Sequence, residues 1–200
     1  MIERGMVPWA PRWRGLTTLA VLAALWAVLE LSLGNALIAV RAPMRGALLT
    51  ALALPLMFTA RLAVPRPGSV AALGLTTATV RWLLGGAFIP QVSLAITIEA
   101  LLVEIGLGWS RRPEAISRPR AALAGGLALA YTAAHPVLFW GLLLGGGHAL
   151  RLPQGFPGLA LFAAVLAAHF LAGGLAGIWA LKLLRRYTFR VRAASSPSPS

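Results

Sequence analysis

The chain of 200 residues has no cysteine and no aspartate, and only five acidic residues in all. The missing cysteine excludes disulfides, thiolate metal sites and thiol nucleophiles. The missing aspartate excludes an aspartyl catalytic dyad. Other absences narrow the field further. No His-Glu-x-x-His run sets two metal ligands on one helical face, no Gly-x-Ser-x-Gly run marks a nucleophile elbow, and no Gly-x-x-x-x-Gly-Lys-Ser/Thr loop is present to cradle a nucleotide. If the chain takes part in transport, its energy comes from elsewhere. Charge of either sign is scarce: 12% of residues are charged and 58% hydrophobic, with a mean hydropathy of +0.79. A soluble domain carries about twice that share of charge. Lipid is therefore the expected solvent for most of this surface.

What charge there is falls unevenly. The net charge of +13 would suit nucleic acid in a soluble protein, but arginines flanking membrane helices give the same balance, and no nucleic-acid partner is expected. A span needs about 20 mostly apolar residues, and six candidate stretches occur: Leu16–Val40, Gly46–Val64, Ser69–Leu84, Gln91–Leu107, Ala121–Leu144 and Leu159–Leu184. Arg41-Ala42-Pro43, Pro65-Arg66-Pro67-Gly68, Gly85-Gly86 with Pro90, Trp109–Arg120 and Gly145–Gly158 separate them. The first stretch is about twice the length of a signal-peptide core, so a retained helix is expected. An all-α protein of six transmembrane helices follows, with residues 1–15 as an N-terminal segment, 16–187 as the membrane domain and 188–200 as a basic, disordered tail. With both termini cytoplasmic, fourteen of the eighteen basic residues lie inside and only Arg41, Arg45, Arg81 and Arg151 outside, as the positive-inside rule requires. Trp9, Trp13, Trp82, Trp109 and Trp179 then fall near interfaces.

Small residues line several helical faces. Ala20, Ala23, Ala27, Glu30 and Gly34 lie within about 80° of one another on a helical wheel. Ala160, Ala164, Ala168, Ala172, Ala176 and Ala180 recur at spacing four in the last stretch, beside Gly173-x-x-x-Gly177. Such faces allow close helix approach, within one bundle or onto a second membrane protein.

Three of the five acidic residues, Glu30, Glu99 and Glu104, sit inside apolar runs. A charge at mid-bilayer costs roughly 2.5–3.5 kcal/mol on insertion scales, so each needs a partner, a polar cavity or a ligand. On the wheel Ser93, Thr97 and Glu104 share one face and Glu99 points roughly the opposite way. This arrangement suggests a structural or coupling role for Glu104, and for Glu99 and Glu30 either a substrate site or, alternatively, a hydrogen bond to a helix neighbour or a buried pair with Arg81. Trp26 stands one turn from Glu30, where its ring could meet a cationic ligand. His135 and His169 also fall near mid-depth. His135 precedes Pro136, which leaves a carbonyl four residues earlier without its usual donor.

The pattern resembles the substrate-binding (S) components of energy-coupling-factor (ECF) vitamin importers. Arg66-Pro67-Gly68-Ser69-Val70, Gly74, Arg81, Gly85-Gly86 and Ile98-Glu99-Ala100-Leu101-Leu102-Val103-Glu104 carry the resemblance in sequence, and six helices with cytoplasmic termini carry it in topology. It implies a protein of a bacterial or archaeal inner membrane that is not an enzyme and needs no cofactor or metal. Such a protein captures a small vitamin-like micronutrient from outside and passes it inward with a transmembrane coupling subunit and ABC ATPases. It also implies an outward pocket roofed by Arg41–Arg45, Leu84–Pro90 and Gly145–Gly158, with Glu30, Asn35, Arg81, Gln91, Glu99 and His135 as binding residues. Ala20, Ala23, Ala24 and Ala27 would pack on the coupling subunit. Cationic pyrimidine or thiazole compounds would suit the glutamates, as would other small polar nutrients. Two other readings stand beside this one: a structural or assembly subunit without a small-molecule ligand, and an intramembrane enzyme.

Overall fold

The computed structural model describes the backbone of residues 10–86, 89–112, 116–139 and 156–194, and the side chains of 13–86, 89–112, 116–139 and 158–186. Six helices and no strand occur among them: α1 (Ala10–Ala39), α2 (Arg45–Ala63), α3 (Ser69–Gly85), α4 (Pro90–Leu107), α5 (Arg118–Leu138) and α6 (Phe156–Ala194). Five of the six, α3 excepted, are long and apolar enough to cross a membrane. α3 has 17 residues, about 25 Å of helix against a hydrocarbon layer of about 30 Å.

The breaks fall where backbone chemistry demands them. Gly68 and Gly86, at φ +88° and +67°, flank α3 in the left-handed region that glycine enters without penalty. α4 opens with Pro90 at its first position, where a missing amide is harmless, and Ser117 caps α5 through its Oγ. Two helices outrun their expected bounds. α1 begins at Ala10, six residues before the apolar run. α6 spans 39 residues, roughly 58 Å, of which Gly158–Arg186 is the membrane-suited part. Helical backbone thus continues through Ala194 into the stretch expected to be a disordered tail. Residues 140–155, which include most of the glycine-rich fifth loop, lie outside the described residues, as do Trp9 and the turn residues 87–88.

Between lipid-exposed helices the hydrophobic effect gives little drive, so close packing has to supply the attraction. Three consecutive pairs, α3–α4, α4–α5 and α5–α6, meet at glycines. A Cβ on Gly74 of α3 would strike Ala100 of α4, one on Gly106 of α4 would strike Ala124 of α5, and one on Gly173 of α6 would strike the Gly125 carbonyl of α5. The expected Gly173-x-x-x-Gly177 surface is therefore used within the bundle: Gly177 abuts the Ala121 carbonyl, and α5 and α6 form the most extensive helix pair. The alanine row of α6 behaves differently. Ala180 is buried, whereas Ala160, Ala164, Ala168 and Ala172 are exposed.

The α1 stripe needs a correction as a partner surface. Ala23 and Ala27 are fully buried beside Leu22 and Trp26 in this chain's own core, so they have no face left for a second protein. Ala20 and Ala24 are exposed. Two interleaved pairs at spacing four, only about 60° apart on the wheel, therefore fall on either side of the edge of the buried face, one within it and one outside it. Trp13, Trp82, Trp109 and Trp179 are all exposed, as side chains at an interface would be.

Candidate functional site

Polar side chains inside the bundle form two groups, one at each end of α2's buried stripe. Thr50 and Arg61 lie eleven residues apart on α2, three helical turns, so both face the same neighbours. Each engages one glutamate of α4.

At the α4 C-terminus, Arg61 and Glu104 form an ion pair of 3.0 Å with each residue only 2% exposed. Arg61 Nη1 also donates to the Arg66 carbonyl, and Nη2 donates to the carbonyls of Gly108 (2.7 Å) and Ser110 (2.6 Å). The second carboxylate oxygen of Glu104 accepts from the Val70 backbone amide at 2.7 Å. A helix end leaves its last carbonyls and first amides without partners. Here one arginine and one glutamate serve the carbonyls after α4 and an amide in the first turn of α3. Both carboxylate oxygens of Glu104 are used, so neither is left over for a ligand. This is a clamp that fixes α2, α3 and α4 to one another. The expectation of a structural role for Glu104 matches this geometry. Arg61 as its partner was missed, although a cation and a carboxylate near the same ends of two spans were a readable signal.

The second group lies 10–17 Å farther along α3, by a rise of about 1.5 Å per residue from Val70 to Thr77 and Arg81. Glu99 is buried, at 6% exposure, and accepts a hydrogen bond at Oε2 from Thr50 Oγ1 (2.9 Å). The same hydroxyl lies 2.9 Å from the Gly46 carbonyl. A threonine has one hydroxyl proton, so it cannot fully serve both acceptors. Glu30 of α1 accepts from Trp26 Nε1 over a long 3.4 Å. Glu30 and Glu99 lie within electrostatic reach of each other, as do Arg81 and Glu30, and Tyr131 and Glu99. Tyr131 Oη and His135 Nδ1 share a 2.8 Å hydrogen bond on α5. The ring of His135 also packs against Phe139, with centroids 5.7 Å apart. Its Nε2 is buried and makes no hydrogen bond of regular geometry, although the Gln91 main chain lies close enough to interact with the ring.

Several sequence expectations change here. Glu99 does not pair with Arg81, which makes no close ion pair among the described residues. α4 buries Ile96, Glu99, Ala100, Val103, Glu104 and Leu107 together, so both glutamates flank one broad buried arc. Opposite pointing on a wheel becomes two edges of one face because α4 has neighbours on several sides. Asn35 is exposed and stands apart from the cluster, and Gln91 is half-buried at the start of α4. His169 is buried with Nδ1 2.9 Å from the Val165 carbonyl of its own helix. Thr50, Thr77 and Tyr131 were missed. Serine and threonine are common in membrane helices, and nothing local separates these from the rest.

Unsatisfied atoms mark the difference between the groups. Four buried side-chain atoms lack a hydrogen bond among the described residues: Ser69 Oγ, Thr77 Oγ1, Arg81 Nε and His135 Nε2. Three of the four lie in the half that holds Glu30 and Glu99. No three histidine or glutamate side chains converge as metal ligands among the described residues. The side chains gathered here offer two carboxylates to cationic or hydrogen-donating groups, and a histidine, a threonine and an arginine to polar ones. Comparison with known proteins yields no match to this chain from any family model, curated protein or solved structure.

Proposed function

We propose that this chain is a membrane-embedded capture subunit for a small polar nutrient, working in the manner of the ECF substrate-binding components it resembles. The observation that supports this reading is the crowd of under-satisfied polar groups around Glu30 and Glu99. In hydrocarbon an unpaired polar group costs several kcal/mol, and a ligand rich in donors or carrying positive charge would offset that cost. Glu99 and Glu30 would take the ligand's donors or charge, with Thr77, Arg81 and His135 around them. In this reading all six helices span the membrane of a bacterial or archaeal cell with both termini cytoplasmic, and α3 crosses where the neighbouring helices shield its ends. The site then lies in the outer half, and the Arg61–Glu104 clamp near the inner face. The exposed pair Ala20 and Ala24, rather than Ala23 and Ala27, offers the close-packing surface for a transmembrane coupling subunit served by ATPases.

A structural subunit without ligand is the second reading, and the self-contained Arg61–Glu104 clamp is what favours it at the inner end. Purification in mild detergent from cells grown in rich medium, followed by mass spectrometry of what denaturation releases, separates the two. Capture predicts a stoichiometric small molecule that Glu99→Gln loses while the protein stays folded. An empty protein without a co-purifying coupling subunit would point to the structural reading.

A further inference from the structure

At the end of the bundle that holds the clamp, α5 and α6 enclose a groove of about 430 Å³ lined by Arg118, Ile178, Leu181, Lys182, Arg185 and Arg186. Residues 178, 181, 182, 185 and 186 follow the i, i+3, i+4, i+7, i+8 pattern of one helical face, and Arg118 adds a cation from the first turn of α5. Four cationic side chains thus meet in one concavity. None of the three described carboxylates, Glu30, Glu99 and Glu104, lines it, and Glu104 is already held by Arg61. Arg185 is fixed at the groove by a 2.8 Å bond to the Ile116 carbonyl, so part of the ordering cost of binding has already been met.

Depth and shape specify the anion. The membrane-suited parts of α5 and α6 begin at Arg118 and end at Arg186, which sets the groove at headgroup level. Leu171, Leu175, Ile178 and Lys182 fall within about 60° on α6, and Leu171 and Leu175 are 68% and 70% exposed. An apolar track therefore runs down α6 and ends at a cation.

We propose that this groove is a binding site for an anionic phospholipid, its phosphate held by Arg118, Lys182 and Arg186 beside Arg185 and an acyl chain lying along Leu171, Leu175 and Ile178. A soluble phosphate would use the cations but not the track. The site is independent of the nutrient-capture reading.

The test uses the full chain, delipidated in detergent and returned to phosphatidylcholine bilayers with and without phosphatidylglycerol. Bound lipid is counted by native mass spectrometry, and affinity is read by titration. Juxtamembrane cations contribute about fivefold each to anionic-lipid binding. The double variant Lys182→Gln/Arg186→Gln is therefore expected to lose about twenty-fivefold in phosphatidylglycerol affinity while melting normally in phosphatidylcholine. The charge-preserving Lys182→Arg/Arg186→Lys should bind as the parent does, which guards against a folding artefact. Arg111→Gln/Arg112→Gln removes two exposed cations outside the groove and should leave affinity unchanged. Equal loss in that control would overturn the proposal in favour of diffuse attraction. Stabilisation by inorganic phosphate equal to that by phosphatidylglycerol would overturn it in favour of a soluble anion, and equal retention of phosphatidylcholine would remove the role of charge.

Discussion

Glu99 and Glu104 sit five residues apart on one helix, both buried, yet they live in opposite circumstances. Glu104 uses both oxygens, one for Arg61 and one for the Val70 amide, and its arginine also donates to three carbonyls. Glu99 accepts one hydrogen bond, from a hydroxyl that also faces the Gly46 carbonyl, and has Glu30 rather than a cation within reach. Burial alone therefore does not identify a functional carboxylate in a membrane bundle. What matters is how much of its bonding capacity the fold itself consumes. The clamp spends all of it on holding helices together, whereas the Glu30–Glu99 cluster keeps capacity for something else.

The most severe way to break the comparison is to remove the clamp's cation. Arg61→Ala leaves Glu104 buried without a counter-charge, and disrupting one partner of a buried pair costs about 3–5 kcal/mol. The variant should be recovered largely unfolded, by thermal melting or resistance to denaturing detergent. Arg61→Met combined with Glu104→Leu should regain only part of that loss, since it removes the unpaired charge but leaves the Arg66, Gly108 and Ser110 carbonyls and the Val70 amide without their partners. If Arg61→Ala melts like the parent, the clamp is not holding the ends of α2, α3 and α4.

A smaller effect tests whether packing and polar chemistry are separable. The Cβ of Gly173→Ala would press on the Gly125 carbonyl and Leu129 Cβ, and overpacking of this kind costs about 1–3 kcal/mol. Stability should fall without any change in what the protein binds. A comparable loss of ligand at full stability would mean that the α5–α6 crossing belongs to the site.

Much of this organisation could be read from the chain. Apolar runs and Gly/Pro breaks located all six helices, with α2, α3 and α4 matching to within a residue or two, because proline and glycine act locally. The presence of three intramembrane glutamates was equally plain. Phase and partnership were not. The interleaved pairs Ala20/Ala24 and Ala23/Ala27 are chemically identical, and only the position of α1 against its neighbours decides which pair faces inward. The wheel placed Glu99 and Glu104 on different sides of α4, but it could not show that the buried arc was wide enough to include both. Thr50 and Arg61 reach α4 from 49 and 43 residues away in sequence, a separation at which no local pattern gives guidance.

Thr50→Val probes the weaker group directly. It removes the hydroxyl that serves Glu99 at nearly constant volume, and interhelical hydrogen bonds in membranes average about 0.6 kcal/mol. Only a small drop in melting temperature is expected, far below that of Arg61→Ala. A loss of several kcal/mol would show that Thr50 and Glu99 form a clamp like the other one, and would count against the cluster as a binding site.

The sharpest contrast comes from making one change at both glutamates. Glutamine has the same length as glutamate but replaces one acceptor oxygen with a donor NH2. At position 104 both oxygens face donors, so Glu104→Gln must set an amide group against either Arg61 or the Val70 N–H, and leaves the guanidinium without its counter-charge. At position 99 one oxygen is engaged, so the amide of Glu99→Gln can still accept from Thr50 and turn its donor the other way. Stability should therefore drop by several kcal/mol in the first variant and by no more than about 1 kcal/mol in the second, where at most one hydrogen bond is weakened. Ligand retention should behave in the reverse sense. A charge-assisted hydrogen bond contributes about 1.5–3 kcal/mol, so Glu99→Gln should weaken nutrient binding about ten- to a hundredfold in an intact protein. Equal losses of stability at the two positions would erase the distinction between them, because Glu99 would then be as fully used by the fold as Glu104.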